Sequence, residues 1–289
     1  MADMHGVHPC ARVGVRVNEH ASRTAQRALN ERIDRDTDAL LVIDVQEDFI
    51  PPHGALAVRG GDEVVSVCSD VMRAFEHVVF SQDYHPEVRT SGDCFEASRR
   101  ASRVNNHTSS VRACARERLT DQMCFDFVLS FAAQGHMSFA SQHEGKSPYD
   151  EVEFPYGTQT LWPDHCVQGT KGCEFHPDLA VPPRTMVVRK GHNSKVDSYS
   201  AFYENDKVSD TGLAAYLKGL GVTRVFVVGL AYDFCVKYTA LDARTLGFDV
   251  FVVRDACRGV DMDGTIAAAD AELADAGVRT IFTVPVPSQ

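Results

Sequence analysis

Short apolar runs alternate along this chain with longer segments in which apolar residues recur every three or four positions. The run ALLVIDV (39–45) is too short for a helix and rich in branched side chains, which predicts a strand buried on both faces. After the turn signals PPHG and RGGD, the segment 62–77 places Val64, Val67, Val71 and Phe75 at helical spacing, and VVFSQD (78–83) predicts the next strand. The alternation resumes with strands at TMVVRK (185–190), RVFVVGL (224–230), FDVFVVRD (248–255) and RTIFTV (279–284). Helices are predicted between them at 211–221, 233–247 and 263–277. Strands separated by helices of this length imply right-handed βαβ crossovers, so the expected fold is α/β: a mostly parallel central sheet with helices on both faces, a Rossmann-like three-layer arrangement. In such sheets the chemistry gathers at the carboxyl ends of the strands.

Three polar residues fall at those ends. Asp44 closes the first run, Lys190 closes MVVRK, and Cys235 follows VVGLAYDF where a strand turns into a helix. Each alone reads as an ordinary residue: a turn-capping aspartate, an exposed lysine, a core cysteine. Together they suggest nucleophilic chemistry, because a thiol at a helix N-terminus beside a lysine has its thiolate favoured and a neighbouring carboxylate can take the proton.

Composition narrows the partners. Lys and Arg total 29 against 40 acidic residues, a net charge of -11, which makes nucleic acid a poor partner. No apolar run approaches the roughly 20 residues of a membrane span, so a membrane partner is not expected. The first 36 residues lack the apolar block of a secretory signal, and Asp3, Glu19, Glu31, Asp34 and Asp36 dilute their arginines. Residues 1–36 therefore read as a disordered extension before a domain at 37–289, and a cytoplasmic location is expected, with organelle targeting by the extension left open. Nine cysteines with no C-x-x-C pair argue against a disulfide framework and a zinc ribbon.

The phrases ALLVIDVQEDFIPPHGALAVRGGDEVV, LWPDHCVQGT, VVRKGHNSKVDSYSAF and VGLAYDFCVKYTALDARTLGFDVFVVRDA resemble the isochorismatase-like cysteine hydrolases, and among them the nicotinamidases, over residues 38–87 and 135 to about 285. The resemblance implies Cys235 as nucleophile, Asp44 as base and Lys190 as third member of a triad. It further implies oxyanion donors at the Ala231 and Cys235 N–H groups, and a cis peptide between Leu230 and Ala231. Phe49, Trp162 and Leu230 are its substrate-binding positions. The implied reaction is hydrolysis of nicotinamide to nicotinate and ammonia through a thioester, in NAD salvage, with one divalent metal, zinc first and iron or manganese as alternatives. Other readings remain a related small-carboxamide amidase and a catalytically impaired binding protein, and a homo-oligomer stays open.

In the nicotinamidases a segment resembling D-W-H-P-x-x-H-x-S-F begins the metal site and W-P-x-H-C completes it. Asp83, His85 and His165 match, with Tyr84 in place of Trp, whereas residue 89 is Arg where a histidine is expected. Joining Glu87 to Gly135 restores the phrase HPEGHMSF and places His136 four positions after His85. The expected ligands are thus Asp83, His85, His136 and His165, interrupted by 88–134. That stretch begins with Val and ends with Gln, whose codons can supply the GT and AG that bound an intron, so a translated intron is one explanation and a genuine surface insertion the other. His107 within it reads as a solvated loop residue.

Overall fold

The computed structural model describes residues 33–87 and 135–283. Six strands form one sheet: β1 (Asp38–Ile43), β2 (His77–Asp83), β5 (Met186–Lys190), β6 (Arg224–Leu230), β7 (Asp249–Arg258) and β8 (Arg279–Ile281). Their order is β5-β2-β1-β6-β7-β8, and every neighbouring pair is parallel. The expected α/β fold is therefore present. All six residues of β1 are buried because it lies between β2 and β6 and is covered on both faces.

The two faces separate by the alternation of side chains along a strand. Leu40 and Val42 point to the face covered by α1 (Glu63–Met72), where they meet Val64, Cys68, Val71, Phe80 and Phe226. Ala39, Leu41 and Ile43 point to the other, covered by α2 (Leu213–Gly219), α3 (Lys237–Thr245) and α4 (Thr265–Asp275) through Leu213, Leu217, Ala240, Ala269 and Leu273.

Two details depart from the sequence reading. An antiparallel hairpin, β3 (Glu151–Phe154) with β4 (Gly157–Thr160), was not expected, because its residues are mostly polar and carry no buried-face pattern. The helix expected from 233 begins instead with a π turn at Tyr232–Val236 and becomes α-helical at Lys237. The π turn lets Cys235 leave the strand end at a different angle from a regular first turn. Ile33 already packs against the core, while residues 1–32 of the expected extension and the stretch 88–134, with His107, lie outside the described residues. Among the described residues no helix is long and apolar enough to cross a membrane.

Candidate active site

Because β5, β2, β1 and β6 are adjacent and parallel, their carboxyl ends meet along one edge. Lys190 ends β5 directly opposite Asp83, which ends β2. Asp44 follows β1 in a left-handed conformation at φ 46°. Beyond Leu230, the last residue of β6, the peptide bond to Ala231 is cis, as the resemblance implied, and the π turn then delivers Cys235. The close approach of β1 and β6 requires Gly229: a Cβ there would lie 2.0 Å from the Ile43 carbonyl oxygen.

Lys190 is the hub. Its Nζ donates to Asp83 Oδ1 at 2.5 Å and to the Ser198 carbonyl at 2.9 Å, and stands 3.3 Å from Cys235 Sγ. Asp44 Oδ2 lies 2.8 Å from the same nitrogen in a fully buried ion pair. Oδ1 of Asp44 accepts from the Ser81 hydroxyl at 2.7 Å, so the carboxylate cannot rotate freely. Oxygens of Asp44 and Asp83 and the Cys235 sulfur all lie within 4.8 Å of one another. The Asp44 carboxylate is thus placed to take the thiol proton.

The electrostatics correct one expectation. Burial pushes the Cys235 thiol well above its usual range; Lys190 pulls it down, and the Asp44 and Asp83 charges push it up again. Burial thus works against the thiolate that a lysine neighbour was expected to favour. Burial also raises Asp44 to about 6, against the pull of Lys190. For Asp83 burial opposes ionisation, but Lys190 and the neighbouring histidines outweigh it and hold the carboxyl well below the ordinary range.

Asp83, His85 and His165, three of the four expected ligands, form a donor set for a cation. Nε2 of His85 and Nε2 of His165 each lie 3.8 Å from Asp83 Oδ2. Nδ1 of His85 faces the Gly191 carbonyl at 3.0 Å and Nδ1 of His165 faces the Pro163 carbonyl at 2.7 Å. Hydrogens on those Nδ1 atoms leave both Nε2 lone pairs directed at one point. Donors at about 2.1 Å from a tetrahedral zinc stand about 3.4 Å apart, close to the spacing here. Two buried carboxylates against one lysine also leave net negative charge that a divalent ion would offset. The residues fit such an ion. Gly191, at φ 63°, admits His85 this closely, since a Cβ would meet its Cε1 at 2.5 Å.

His136, the fourth expected ligand, stands beside this set. Its ring lies 4.2 Å from that of His85, but Nδ1 is 2.6 Å from Ser138 Oγ and Nε2 is 3.3 Å from the Val196 carbonyl. With a hydrogen on Nδ1 toward Ser138, Nε2 keeps its lone pair, and His136 groups with His85 and Asp197 within 4.8 Å.

Cys235 and the donor set open into a cleft with about 360 Å³ of free space, part of it open to solvent. Phe49, Trp162 and Ala231 line it as expected, joined by Leu56, Tyr199, Phe234 and Val260. Leu230 is a correction: its side chain is wholly buried in the core cluster on the α1 face and does not line the cleft. Leu230 ends β6 within the core, whereas Ala231, past the cis peptide bond, meets the opening. Ser81, Asp197 and Tyr199 were missed. Ser81 sits mid-strand in VVFSQD, where a buried serine was the only available signal. Asp197 accepts from Gln159 Nε2 at 2.9 Å, a contact made only when the hairpin folds back.

Comparisons with known proteins agree with this geometry. The Isochorismatase domain family matches residues 38–283. The nicotinamidase of Acinetobacter baylyi is 38% identical over 243 residues, covering 84% of this chain and 91% of that protein. Among solved structures, PnC1 from L. infantum in complex with nicotinate is 33% identical with a TM-score of 0.62, covering 87% of this chain and 95% of that one. Pyrazinamidase of Pyrococcus horikoshii in complex with zinc is 27% identical with a TM-score of 0.57, covering 85% of this chain and 98% of that one. With the triad, the cis peptide and the acid–histidine cluster at one sheet edge, the chain belongs to the isochorismatase-domain family and groups there with the nicotinamidases.

Proposed function

We propose that this protein hydrolyses nicotinamide to nicotinate and ammonia with Cys235 as nucleophile. The observation that carries the reading is the buried contact of Cys235, Lys190 and Asp44 at the floor of an aromatic cleft, beside Asp83, His85 and His165. Asp44 accepts the thiol proton as sulfur attacks the carboxamide carbon. Lys190 holds the thiolate and both carboxylates while charge moves from oxygen to sulfur. The Ala231 and Cys235 N–H groups receive the developing oxyanion. Asp44 then returns its proton to nitrogen, the C–N bond breaks, ammonia leaves, and water cleaves the thioester to release nicotinate. Phe49 and Trp162 flank the ring and, with Phe234, exclude water from it. Asp83, His85 and His165, with His136 beside them, would hold a divalent ion, zinc the first assignment and iron or manganese the alternatives, which would supply Lewis acidity toward the pyridine nitrogen.

His165→Ala tests the donor set together with the reaction. The parent is expected to carry one divalent ion per chain and release ammonia from nicotinamide; the variant is expected to lose metal affinity by about 100-fold or more and to bind nicotinate correspondingly weakly. Metal content by mass spectrometry and an ammonia assay decide it. Stoichiometric metal in the variant would overturn the donor set, and no ammonia from the metal-loaded parent would overturn the reaction.

The stretch 88–134 gives a separate expectation. Its described flanks converge, since His85 and His136 stand ring to ring at 4.2 Å. A protein lacking those 47 residues, 242 from the full 289, is therefore expected to bind metal at least as well as the full chain and to hydrolyse nicotinamide. Loss of both properties in a folded deletion protein would make the stretch an integral part of the site. The translated-intron reading predicts a mature transcript without its codons, and tryptic peptides from 119–146 in the native protein would end it.

A further inference from the structure

We infer that Asp233 is a positioning residue that holds the apolar wall of the cleft, at Val260, in register with the nucleophile. It is 1% exposed and lies two residues before Cys235 on the π turn, but it does not line the cleft. Its carboxylate turns the other way, onto the loop that follows β7. Oδ1 accepts from the Val260 N–H at 3.0 Å, and Oδ2 accepts from the Asp261 N–H at 2.9 Å and the Thr265 hydroxyl at 2.5 Å. Thr265 Oγ1 in turn accepts from the Met262 N–H at 2.9 Å. One side chain thus gathers the loop from Val260 to the first residue of α4.

That loop does not hold its shape unaided. Asp261 and Asp263 adopt left-handed conformations at φ 59° and 47°, which residues with a Cβ disfavour. Contact between loop and acid is close: a Cβ at Gly259 would lie 2.8 Å from Asp233 Oδ1 and 2.9 Å from Ile266. Val260 faces the cleft with Phe49, Leu56 and Phe234. An acid on the turn that carries the nucleophile therefore sets where the opposite apolar wall stands.

The nucleophile itself has other supports. Phe234 and Val236 N–H groups both donate to the Ala231 carbonyl at 3.1 Å, the Tyr232 hydroxyl donates to Asp270, and Lys190 holds the sulfur. These persist when Asp233 is altered. Loss of Asp233 consequently acts on ring binding and leaves the attack on the carbonyl nearly unchanged.

The inference rests on the nicotinamidase reading, and the experiment separates the two. Parent turnover of nicotinamide tests that reading. Asp233 is tested by a double-mutant cycle of Asp233→Ala and Val260→Ala in the full, metal-loaded chain. KM for nicotinamide is measured, together with Kd for nicotinate read from Trp162, the only tryptophan and a residue of the cleft wall. Asp233→Ala is expected to raise KM and Kd about tenfold with kcat within about threefold, and the double variant to be no worse than Asp233→Ala, because the acid acts through Val260. Iodoacetamide alkylation of Cys235, read on its tryptic peptide, should stay within about twofold of the parent. Asp233→Asn, which keeps one acceptor, should fall between, and it carries the cycle if the alanine variant does not fold. Additive effects of the two substitutions would overturn the inference. So would a fall in kcat and alkylation at unchanged KM, or a lowered melting temperature with parent KM and Kd.

Discussion

Cys235→Ala is expected to abolish ammonia release from nicotinamide, by about 10⁴-fold or more, while fold and bound metal persist. Cys235 is 6% exposed and packs at the edge of the core, so removing its sulfur costs about 1 kcal/mol of stability, small beside the loss of the atom placed to form the thioester. Asp44→Asn is expected to be nearly as severe, since an amide cannot take the thiol proton. The parent should also show an acid limb. Asp44 acts as base only when ionised, and burial places it at about 6, so kcat/KM is present above that pH and lost as pH falls through it. Ammonia assays from pH 5 to 8 check both statements. Substantial turnover by Cys235→Ala would remove the thiol from the mechanism, and a flat profile across pH 6 would assign the base elsewhere.

Lys190→Met is expected to abolish activity and to destabilise the metal-free protein by about 3–5 kcal/mol at pH 7.5. Nζ is the shared cation of Asp44 and Asp83, at 2.8 Å and 2.5 Å, and all three side chains are buried. Methionine keeps most of the volume but leaves two carboxylates without that charge. The pH dependence gives the sign. In the parent, Asp83 is held below the ordinary carboxylate range, so its contribution is present above the unfolded pKa and is lost in acid. Without Lys190 both carboxyls rise, ionisation opposes folding, and the deficit against the parent shrinks as pH falls toward 5 and they protonate. Urea unfolding of the metal-free proteins at pH 5 and 7.5 measures this. A deficit that grows in acid would mean that Lys190 does not serve as their counter-charge.

Much of the fold could be read from local pattern. Short apolar runs predicted each of the six strands of the central sheet, and periods of three to four residues the four helices that pack on it among the described residues, because burial on one or both faces leaves a mark on consecutive residues. Asp44, Lys190 and Cys235 were legible as polar residues at strand ends, and Asp83, His85 and His165 through phrases whose spacing is local. A local pattern does not carry the direction in which a side chain finally turns. Only the packed strands show that Leu230 faces the core, that His136 lies against Ser138 and Val196, and that burial raises the Cys235 thiol despite Lys190 at 3.3 Å. Ser81 against Asp44 and Asp233 against Val260 likewise join positions 37 and 27 residues apart. Such contacts depend on desolvation and on which neighbours compete for a limited number of hydrogens, quantities set by the three-dimensional surroundings and absent from residue order.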